Sequence, residues 1–384
     1  MTLDTIQLTL LSLTIILFLL QSLYYLIMYA RPLKMARKEK TGLPEPMPPV
    51  SVIVYAKNES ENLRKHIPAL LAQNYPAYEI IVVNDGSTDE SDEVLKRFEN
   101  DYKNLYHTYI PEDVKYLSRK KLALTIGIKA AKNEILLFTE ANCKPVSENW
   151  IARMARNYSP STSIVLGFCA YGPHKGFFHK LVAYDNLVCG LQYLSSALAH
   201  RPYTGNGRNL SYRKELFFAH KGYYKSLNLH AGDDDLFVNE SATPANTQAE
   251  YTAESITRMA KIEQFAVWKE MKVSRAATQR FYKGTSLTLY RIEGISSFLF
   301  FLGTMGSILT GLYGYWWVSA GGILLYIFHF TLKAVILYKS SLLLQQKPDI
   351  AWLPLLELIR PMFNLYVRIY RIFRGKNDYT FRLG

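Results

Sequence analysis

The sequence predicts an α/β fold, with a mostly parallel sheet, helices on both faces of that sheet and additional transmembrane helices. Between residues 50 and 138, short apolar runs alternate with stretches of helical periodicity. Such an alternation is typical of βαβ units, which build parallel sheets. Residues 5–30 and 294–331 contain no Lys, Arg, Asp or Glu. Both stretches exceed the roughly 20 residues that a helix needs to span a bilayer.

Four strands are predicted in the first part of the α/β region, at residues 50–55, 79–83, 105–110 and 134–138. The predicted helices lie between and after these strands, at residues 59–73, 91–100, 119–132, 148–157 and 178–198. A loop-rich region then extends from residue 201 to residue 246. We assign residues 49–285 to one α/β domain.

The N-terminal stretch, residues 1–30, is predicted to be a transmembrane helix. No basic residue precedes its apolar core and no small-residue cleavage site follows it, which argues against a signal peptide. The Pro-rich linker 31–48 carries the basic residues Arg31, Lys34, Arg37, Lys38 and Lys40. By the positive-inside rule, the α/β domain then lies in the cytoplasm. The alternative, a helix buried in a soluble core, is disfavoured by the length of the apolar stretch.

Residues 294–338 are predicted to form a hairpin of two spans, at 295–312 and 316–337. Gly, Tyr and Trp residues separate the two spans, and Tyr and Trp prefer the membrane interface. Lys333, near the end of the second span, is expected to extend its amine towards the interface.

The last segment, residues 349–375, carries basic and apolar residues on opposite sides of a helix. This pattern predicts an amphipathic helix on an anionic membrane surface, kinked at Pro361 and followed by a basic tail. The alternative is a fourth span, which would bury Arg360 in lipid at a high free-energy cost.

Composition restricts the class of partner. The 384 residues carry a net charge of +13 and 14% aromatic residues, which suits nucleic acid, anionic lipid or an anionic substrate. Many basic residues flank the apolar stretches, so we expect lipid contact and no nucleic-acid partner. The three cysteines show no metal-ligand spacing. Gly-x-Gly-x-x-Gly and P-loop motifs do not occur, which argues against nicotinamide enzymes and P-loop kinases.

Two acidic segments are the main candidates for a functional site. Asp85 follows the apolar run 79–83, and ligands of open α/β sheets bind at the carboxyl ends of strands. Glu59 follows the first strand in the same way, although it could simply be a favourable charge at a helix N-terminus. Three aspartates stand in a row at residues 233–235. Adjacent carboxylates usually have a cationic partner or a shifted pKa; the alternative is a solvated loop or helix cap.

Six segments resemble, in the same order, the motifs of the inverting family 2 glycosyltransferases of GT-A fold. They are residues 49–59, 83–89, 120–125, 139–145, 204–214 and 232–235. Each motif alone is weak, but their collinear order over residues 48–280 is fairly specific. The sequence therefore resembles a membrane-anchored, bacterial-type member of this family.

The resemblance implies that several residues bind a nucleotide-sugar donor. Asp85, with Tyr55 and Glu59, would contact the uracil and ribose of a UDP-sugar. Lys121, or its neighbour Lys120, would lie near the donor.

The resemblance also implies a metal site and a catalytic base. Glu140 and Asn142 occupy the family's Asp-x-Asp positions, which hold the donor diphosphate through Mn²⁺ or Mg²⁺. Asp234 would be the general base, with Asp233 beside it. The acceptor side would be shaped by Gly205, Asn206, Arg208 and Arg275.

Two departures from the family pattern bear on these roles. The sequence has Glu140 and Asn142 in place of two aspartates, so one carboxylate is lost although oxygen ligands remain. Metal-independent donor binding is therefore an alternative, and so is a non-catalytic membrane scaffold. Lys272 and Ala276 replace the Gln and Trp of the Gln-x-x-Arg-Trp motif of processive members, around Arg275. We therefore expect transfer of one sugar rather than polymerisation.

Together these observations predict an integral membrane glycosyltransferase. The expected reaction is inverting transfer of a single sugar from a nucleotide-sugar to a lipid-linked or glycan acceptor. We expect it at the cytoplasmic face of a bacterial cell membrane, in the synthesis of cell-envelope glycans.

Overall fold

The computed structural model describes residues 3–36, 47–112, 118–173, 175–260, 262–346 and 349–374. Its main sheet begins with four parallel strands in the order β3-β2-β1-β4. These strands are β1 (Val50–Ala56), β2 (Tyr78–Asn84), β3 (Leu105–Tyr109) and β4 (Ile135–Glu140). Strands β1, β2 and β4 are rich in Val, Ile and Leu because helices cover both faces of the sheet. The predicted parallel sheet is confirmed.

The sheet continues through short strands that the sequence does not predict. Within the described residues, β4 is followed by β8 (Leu210–Arg213), β6 (Ile164–Leu166) and β9 (Thr247–Ala249). Strand β8 runs antiparallel to both of its neighbours. A second, smaller sheet contains β5 (Cys143–Pro145), β10 (Thr257–Met259) and β7 (Cys169–Tyr171). The region predicted to be rich in loops therefore supplies one strand of the main sheet, β8.

Helices lie on both faces of the main sheet. The helices of the α/β domain are α3 (Ser60–Leu71), α4 (Ser91–Asp101), α5 (Arg119–Ala130), α6 (Trp150–Ala155), α7 (Phe177–Leu198), α8 (Lys214–Ala219), α9 (Asp235–Ser241) and α10 (Phe265–Thr278). Leu63 and Ile67 of α3 pack into the core on one face. Leu124 and Ile128 of α5 pack into the core on the other face. The expected arrangement, with helices on both faces, is confirmed.

Among the described residues, three helices are long and apolar enough to cross a membrane. The first is α1 (Leu3–Leu23), which continues as a π-helical turn over Tyr24–Tyr29. The others are α11 (Ser286–Leu312) and α12 (Trp316–Leu343). Polar side chains link them: the Gln21 amide donates to the Glu293 carbonyl at 3.0 Å and to the Ser296 hydroxyl at 2.6 Å. Such bonds compensate for the cost of burying polar groups in an apolar layer.

Two further helices, α2 (Arg31–Ala36) and α13 (Leu353–Phe373), connect these apolar helices with the α/β domain. Helix α13 is continuous through Pro361. Its Arg360 donates from Nε to Asp185 Oδ1 of α7 at 2.8 Å. The expectation that Arg360 faces lipid headgroups is therefore wrong, because a buried aspartate of the α/β domain is its partner.

Lys333 also departs from its expected position. Its side chain is 3% exposed and forms an ion pair with Glu357 of α13. It therefore does not extend to the membrane interface, because a carboxylate inside the protein binds its ammonium group. Residues 37–46 of the linker and the tail after residue 374 lie outside the described residues, and so do the predicted basic residues Arg37, Lys38 and Lys40.

Candidate active site

The carboxyl ends of three neighbouring strands form one wall of the candidate site. Strand β1 lies between β2 and β4, so Tyr55, Asp85 and Glu140 end up close together. The Tyr55 hydroxyl donates to Asp85 Oδ2 at 2.8 Å, and Arg119 Nε donates to Asp85 Oδ1 at 2.8 Å. Burial and the hydrogen bond to Asp85 raise the pKa of Tyr55, so its hydroxyl stays protonated and remains a donor. Asp85 is thus fixed in one orientation, although sequence reasoning identified no partner for it.

Glu59 lies just before α3 at the same end of β1. Its carboxylate accepts a hydrogen bond from the Asn62 amide, one turn into the helix. Burial raises the pKa of Glu59, and so does the nearby charge of Glu140. The position of Glu59 therefore agrees with both interpretations, the charge at a helix N-terminus and a group near the donor.

Glu140, at the end of β4, is paired with two cations. Lys120 Nζ lies 2.8 Å from Glu140 Oε1, and Arg208 Nε lies 2.8 Å from Glu140 Oε2. Burial alone would raise the pKa of Glu140, but Arg208 and Lys120 outweigh burial and lower it to about 2. Glu140 is therefore ionised at neutral pH, and both of its oxygens are engaged.

The structure distinguishes the two adjacent lysines at the start of α5. Lys120 also lies 3.2 Å from Asp233 Oδ2, and its Nζ is 5.5 Å from the centre of the Tyr55 ring. Lys121 points the other way, because successive residues of a helix project about 100° apart. Its buried ammonium group donates to the carbonyls of Ser226, Leu229 and Ala231.

The two lysines therefore have different tasks. Lys120 faces the candidate site, whereas Lys121 holds the loop that leads into the aspartate cluster. Burial lowers the pKa of Lys121 to about 8. For Lys120, burial also opposes the charged form, but Asp233 and Glu140 outweigh it and raise the pKa. Lys120 is thus a cation at neutral pH.

The three aspartates occupy different environments at the start of α9. Asp234 Oδ2 accepts a hydrogen bond from the Gly207 amide at 2.9 Å, and Asp234 Oδ1 accepts one from the Asp235 amide at 2.6 Å. Arg275 NH1 lies 3.3 Å from the same Oδ1. Burial would raise the pKa of Asp234, but Arg275 and Lys120 outweigh it and lower that pKa. Asp234 is therefore an ionised acceptor, and its side chain is 21% exposed.

Asp235 is the aspartate whose pKa is raised. Its side chain is only 2% exposed, and burial is the main cause of the raised pKa. Its Oδ2 accepts hydrogen bonds from the hydroxyls of Thr278 and Tyr282. Asp235 therefore ties α9 to α10 and to the segment that follows α10. The sequence indicated a cationic partner or a shifted pKa for these adjacent carboxylates, and Asp235 is the member whose pKa is raised, mainly by burial.

The loop 205–208 lies against Asp234. The Gly205 carbonyl accepts a hydrogen bond from Arg275 NH2 at 2.8 Å. A Cβ atom at Gly207 would come within 3.3 Å of Asp234 Cβ, so glycine permits this close approach. Asn206 lines the neighbouring cavity, and Arg208 belongs to the pair with Glu140. The loop thus places a backbone donor at Asp234 and the side chains of Asn206 and Arg208 in the wall of the cavity that Asp234 also lines.

A cavity of about 850 Å³ adjoins these groups. Lys120, Arg208 and Asp233 to Asp235 line its inner end. The cavity continues past α7 and α10 to α11 and α13. Its size lies in the range of pockets for small-molecule ligands. The glycosyltransferase-like motifs of the sequence identified residues at the inner end of this cavity only, because α11 and α13 contain none of those motifs.

Few of the described side chains are placed to act as ligands of a divalent cation. Within the described residues, no group of three or more His, Cys, Asp or Glu side chains is arranged to hold a metal ion. Asn142 Oδ1 accepts a hydrogen bond from Cys143 at 3.2 Å, and Glu140 is paired as described. Carboxylate and amide oxygens fit Mn²⁺ or Mg²⁺ in type, but such an ion must compete with Lys120 for Glu140.

The fold and the site define a class: an α/β domain with a cavity at the carboxyl ends of its strands, lined by charged groups near Asp234 and largely by apolar residues elsewhere. Residues 51–218 match the family model "Glycosyl transferase family 2". The resemblance noted in the sequence is therefore confirmed over residues 51–218.

Two curated relatives are glycosyltransferases by name. Glycosyltransferase AglE of Haloferax volcanii is 36% identical over 109 residues, which are 28% of this chain and 34% of the relative. Poly-beta-1,6-N-acetyl-D-glucosamine synthase of Staphylococcus epidermidis is 31% identical over 93 residues, which are 24% of this chain and 21% of the relative. The match thus covers about a third or less of the length of these two relatives.

One solved structure has a similar fold over nearly the whole chain. It is the mannosyltransferase PcManGT from Pyrobaculum calidifontis, in complex with GDP-Man and Mn²⁺. The TM-score is 0.58 at 16% identity, and the alignment covers 96% of this chain and 100% of that chain. The expected GT-A fold is confirmed by this similarity together with the family match.

Proposed function

We propose that the protein transfers one sugar from a nucleotide-sugar to an acceptor at a membrane surface, with inversion at the anomeric carbon. The observation that carries this proposal is Asp234, whose ionised carboxylate borders the cavity and is held by the Gly207 amide and Arg275. A fixed carboxylate of this kind suits the general base that accepts the proton of an attacking hydroxyl. Because the hydroxyl attacks opposite the leaving group in a single step, the configuration inverts.

The donor would lie along the strand ends. Asp85, fixed by Tyr55 and Arg119, is the group proposed to bind the nucleoside. Lys120 and Arg208 flank Glu140 and are proposed to face the diphosphate, where negative charge develops as the bond to the sugar breaks. Fixed cations in a water-poor site stabilise such charge effectively. The family resemblance favours a UDP-sugar, and a panel of nucleotide-sugars tests this choice.

A divalent cation is proposed to assist, held by Glu140 and Asn142. When bound, such an ion would act as a Lewis acid on the diphosphate. With such an ion at Glu140, Lys120 would keep Asp233 as its partner, since Lys120 Nζ lies 3.2 Å from Asp233 Oδ2. Lys120 and Arg208 both pair with Glu140, so these fixed cations would themselves supply much of the stabilisation of negative charge on the diphosphate.

The acceptor is proposed to be lipid-linked or a glycan, reached from the cytoplasmic face of a bacterial membrane. Three helices in the described part of the chain are long and apolar enough to cross a membrane, and the cavity beside Asp234 reaches α11, one of these helices. The basic residues after the first helix support a cytoplasmic domain. Gly205, Asn206, Arg208 and Arg275 would shape the acceptor side, as the resemblance implies.

The test is an Asp234→Asn variant with Asp101→Asn as its matched control, since Asp101 is exposed at the end of α4. Turnover is measured as release of nucleoside diphosphate from UDP-, GDP- and dTDP-sugars with a lipid extract as acceptor. We expect kcat to fall by about 10²–10⁴ in Asp234→Asn and to stay unchanged in Asp101→Asn. Stabilisation by the nucleotide-sugar, seen in thermal unfolding, should persist in both variants.

A non-catalytic membrane scaffold is the alternative. The altered Asp-x-Asp positions, Glu140 and Asn142, are the observation that favours it. A scaffold would show no turnover with any donor, and Asp234→Asn would change nothing that can be measured. Turnover that survives in Asp234→Asn would contradict the role of this residue as the base.

A further inference from the structure

The cavity beside Asp234 reaches the protein surface between α11 and α13. Ile295 of α11 and Leu365 of α13 line it and are 61% and 58% exposed. Phe298 and Leu299 of α11 line the same region and are 43% and 47% exposed. The outer end of the cavity is thus apolar. We call this region, with Arg291 and Arg368, the cavity mouth.

Seven basic side chains among the described residues line the cavity. Five of them form ion pairs with Asp or Glu: Lys120, Arg208, Lys272, Arg275 and Arg360. The remaining two are Arg291 of α11 and Arg368 of α13, for which the described residues provide no acidic group within 4.0 Å. The unpaired cations are therefore those of the cavity mouth, and the inner cations are neutralised.

The two arginines belong to different helices but act on each other. Both arginine side chains are exposed at the mouth. Partial burial lowers the pKa of Arg368, and the positive charge of Arg291 lowers it further. Two like charges without a counter-ion destabilise each other, and an anion between them removes this cost. Guanidinium groups bind phosphate through paired hydrogen bonds.

We propose that Arg291 and Arg368 bind the phosphate of a lipid-linked sugar, which is the acceptor of the reaction. Its hydrocarbon chain would contact the exposed apolar residues of the cavity mouth, and its sugar would extend inwards to Asp234. This inference rests on the proposed function and names its acceptor class. It fits the charges of the cavity, because the two arginines at the mouth have no acidic partner among the described residues and favour an anion, whereas the cations at the inner end are already paired.

The lipid phosphate anchors the acceptor and takes no part in bond making. The acceptor hydroxyl gives its proton to Asp234, and its oxygen forms the bond to the anomeric carbon of the donor sugar. The bond between that carbon and the diphosphate breaks, and the nucleoside diphosphate leaves with the electron pair. A nucleotide-sugar and a lipid-linked sugar therefore suffice as reactants.

The test uses the full chain in detergent and measures ligand binding by thermal unfolding. The probes are geranylgeranyl phosphate, geranylgeraniol, inorganic phosphate and phosphatidylglycerol. The variants are the double change Arg291→Gln with Arg368→Gln, and Arg374→Gln as the matched control. Arg374 also lies near the end of α13, but it pairs with Glu270 and does not line the cavity.

We expect the native chain to bind geranylgeranyl phosphate at least about tenfold more tightly than geranylgeraniol, since charge-assisted bonds contribute this much. The double variant should lose the difference, and Arg374→Gln should keep it. Equal binding of the phosphate and the alcohol would overturn the proposal, as would an equal loss in Arg374→Gln. Equally tight binding of phosphatidylglycerol or inorganic phosphate would also overturn it, because the site would then be a general headgroup or anion contact.

Stabilisation by nucleotide-sugars is measured on the same samples. If it persists in the double variant while geranylgeranyl phosphate fails to bind the native chain, the acceptor proposal falls and the proposed function stands. If no nucleotide-sugar stabilises the native chain, the proposed function falls, and the acceptor proposal falls with it.

Discussion

Replacing Lys120 and Lys121 separately by Gln tests the assignment of the active site most directly. Lys120 contacts Glu140 and Asp233 and faces the cavity. Lys121 donates to three backbone carbonyls and is 1% exposed. The two changes remove the same charge from adjacent positions, so each variant is the matched control of the other.

The expected effects differ in kind. Lys120→Gln removes one fixed cation from the place where the leaving diphosphate gains charge, and the loss of one such donor typically lowers kcat about 10²–10³-fold. Glu140 keeps Arg208 as a partner in this variant, so the loss of stability should be moderate. Lys121→Gln leaves buried carbonyls without a donor, and each such group costs about 1–3 kcal/mol of folding free energy. This variant should lose stability first.

The assay measures kcat for release of nucleoside diphosphate and, in parallel, the unfolding temperature in the same detergent. We expect a low kcat with a moderately lowered unfolding temperature for Lys120→Gln. We expect a lowered unfolding temperature for Lys121→Gln, with most of the kcat retained below that temperature. The reasoning is refuted if Lys120→Gln keeps its kcat, or if Lys121→Gln loses kcat without losing stability.

Two further predictions concern metal and domain docking. Chelation of divalent cations should lower turnover by less than about 100-fold, because Lys120 and Arg208 remain beside the diphosphate; complete loss of turnover in EDTA, restored by Mn²⁺, would contradict this. Asp185→Asn should cost up to about 3 kcal/mol of unfolding free energy, since it leaves the partly buried Lys272 and Arg360 without their shared carboxylate. Denaturant unfolding measures this, and a loss no greater than in Asp101→Asn would argue against it.

The parts of the fold that the sequence predicted are those with strong local patterns. Strands β1, β2 and β4 are rich in Val, Ile and Leu, and Asp85 directly follows β2, so both the strands and Asp85 could be identified. Strands β5, β6, β7, β9 and β10 have three residues each. Three residues are too few to show a period of two, and these strands depend on pairing with distant segments.

The residues that sequence reasoning missed or misplaced depend on contacts between distant parts of the chain. Lys120 and Lys121 are adjacent and identical, so the sequence alone did not show which one faces the site. Arg360 has the expected position on a basic helix face, but its partner Asp185 is 175 residues away. Asp185 lies inside a largely apolar helix without a motif. In such cases the tertiary contact, rather than local periodicity, decides the role of a charged residue.

Helix α10 joins the membrane-proximal region to the candidate base. Lys272 and Arg275 lie three residues apart and therefore on one side of this helix. Lys272 contacts Asp185, which also binds Arg360 of α13, while Arg275 contacts Asp234 and the Gly205 carbonyl. The same helix thus holds α13 and orients the carboxylate of Asp234. Because α13 forms one side of the cavity mouth, α10 connects that side of the mouth with the geometry at Asp234 through two groups of ion pairs, one at Lys272 and one at Arg275.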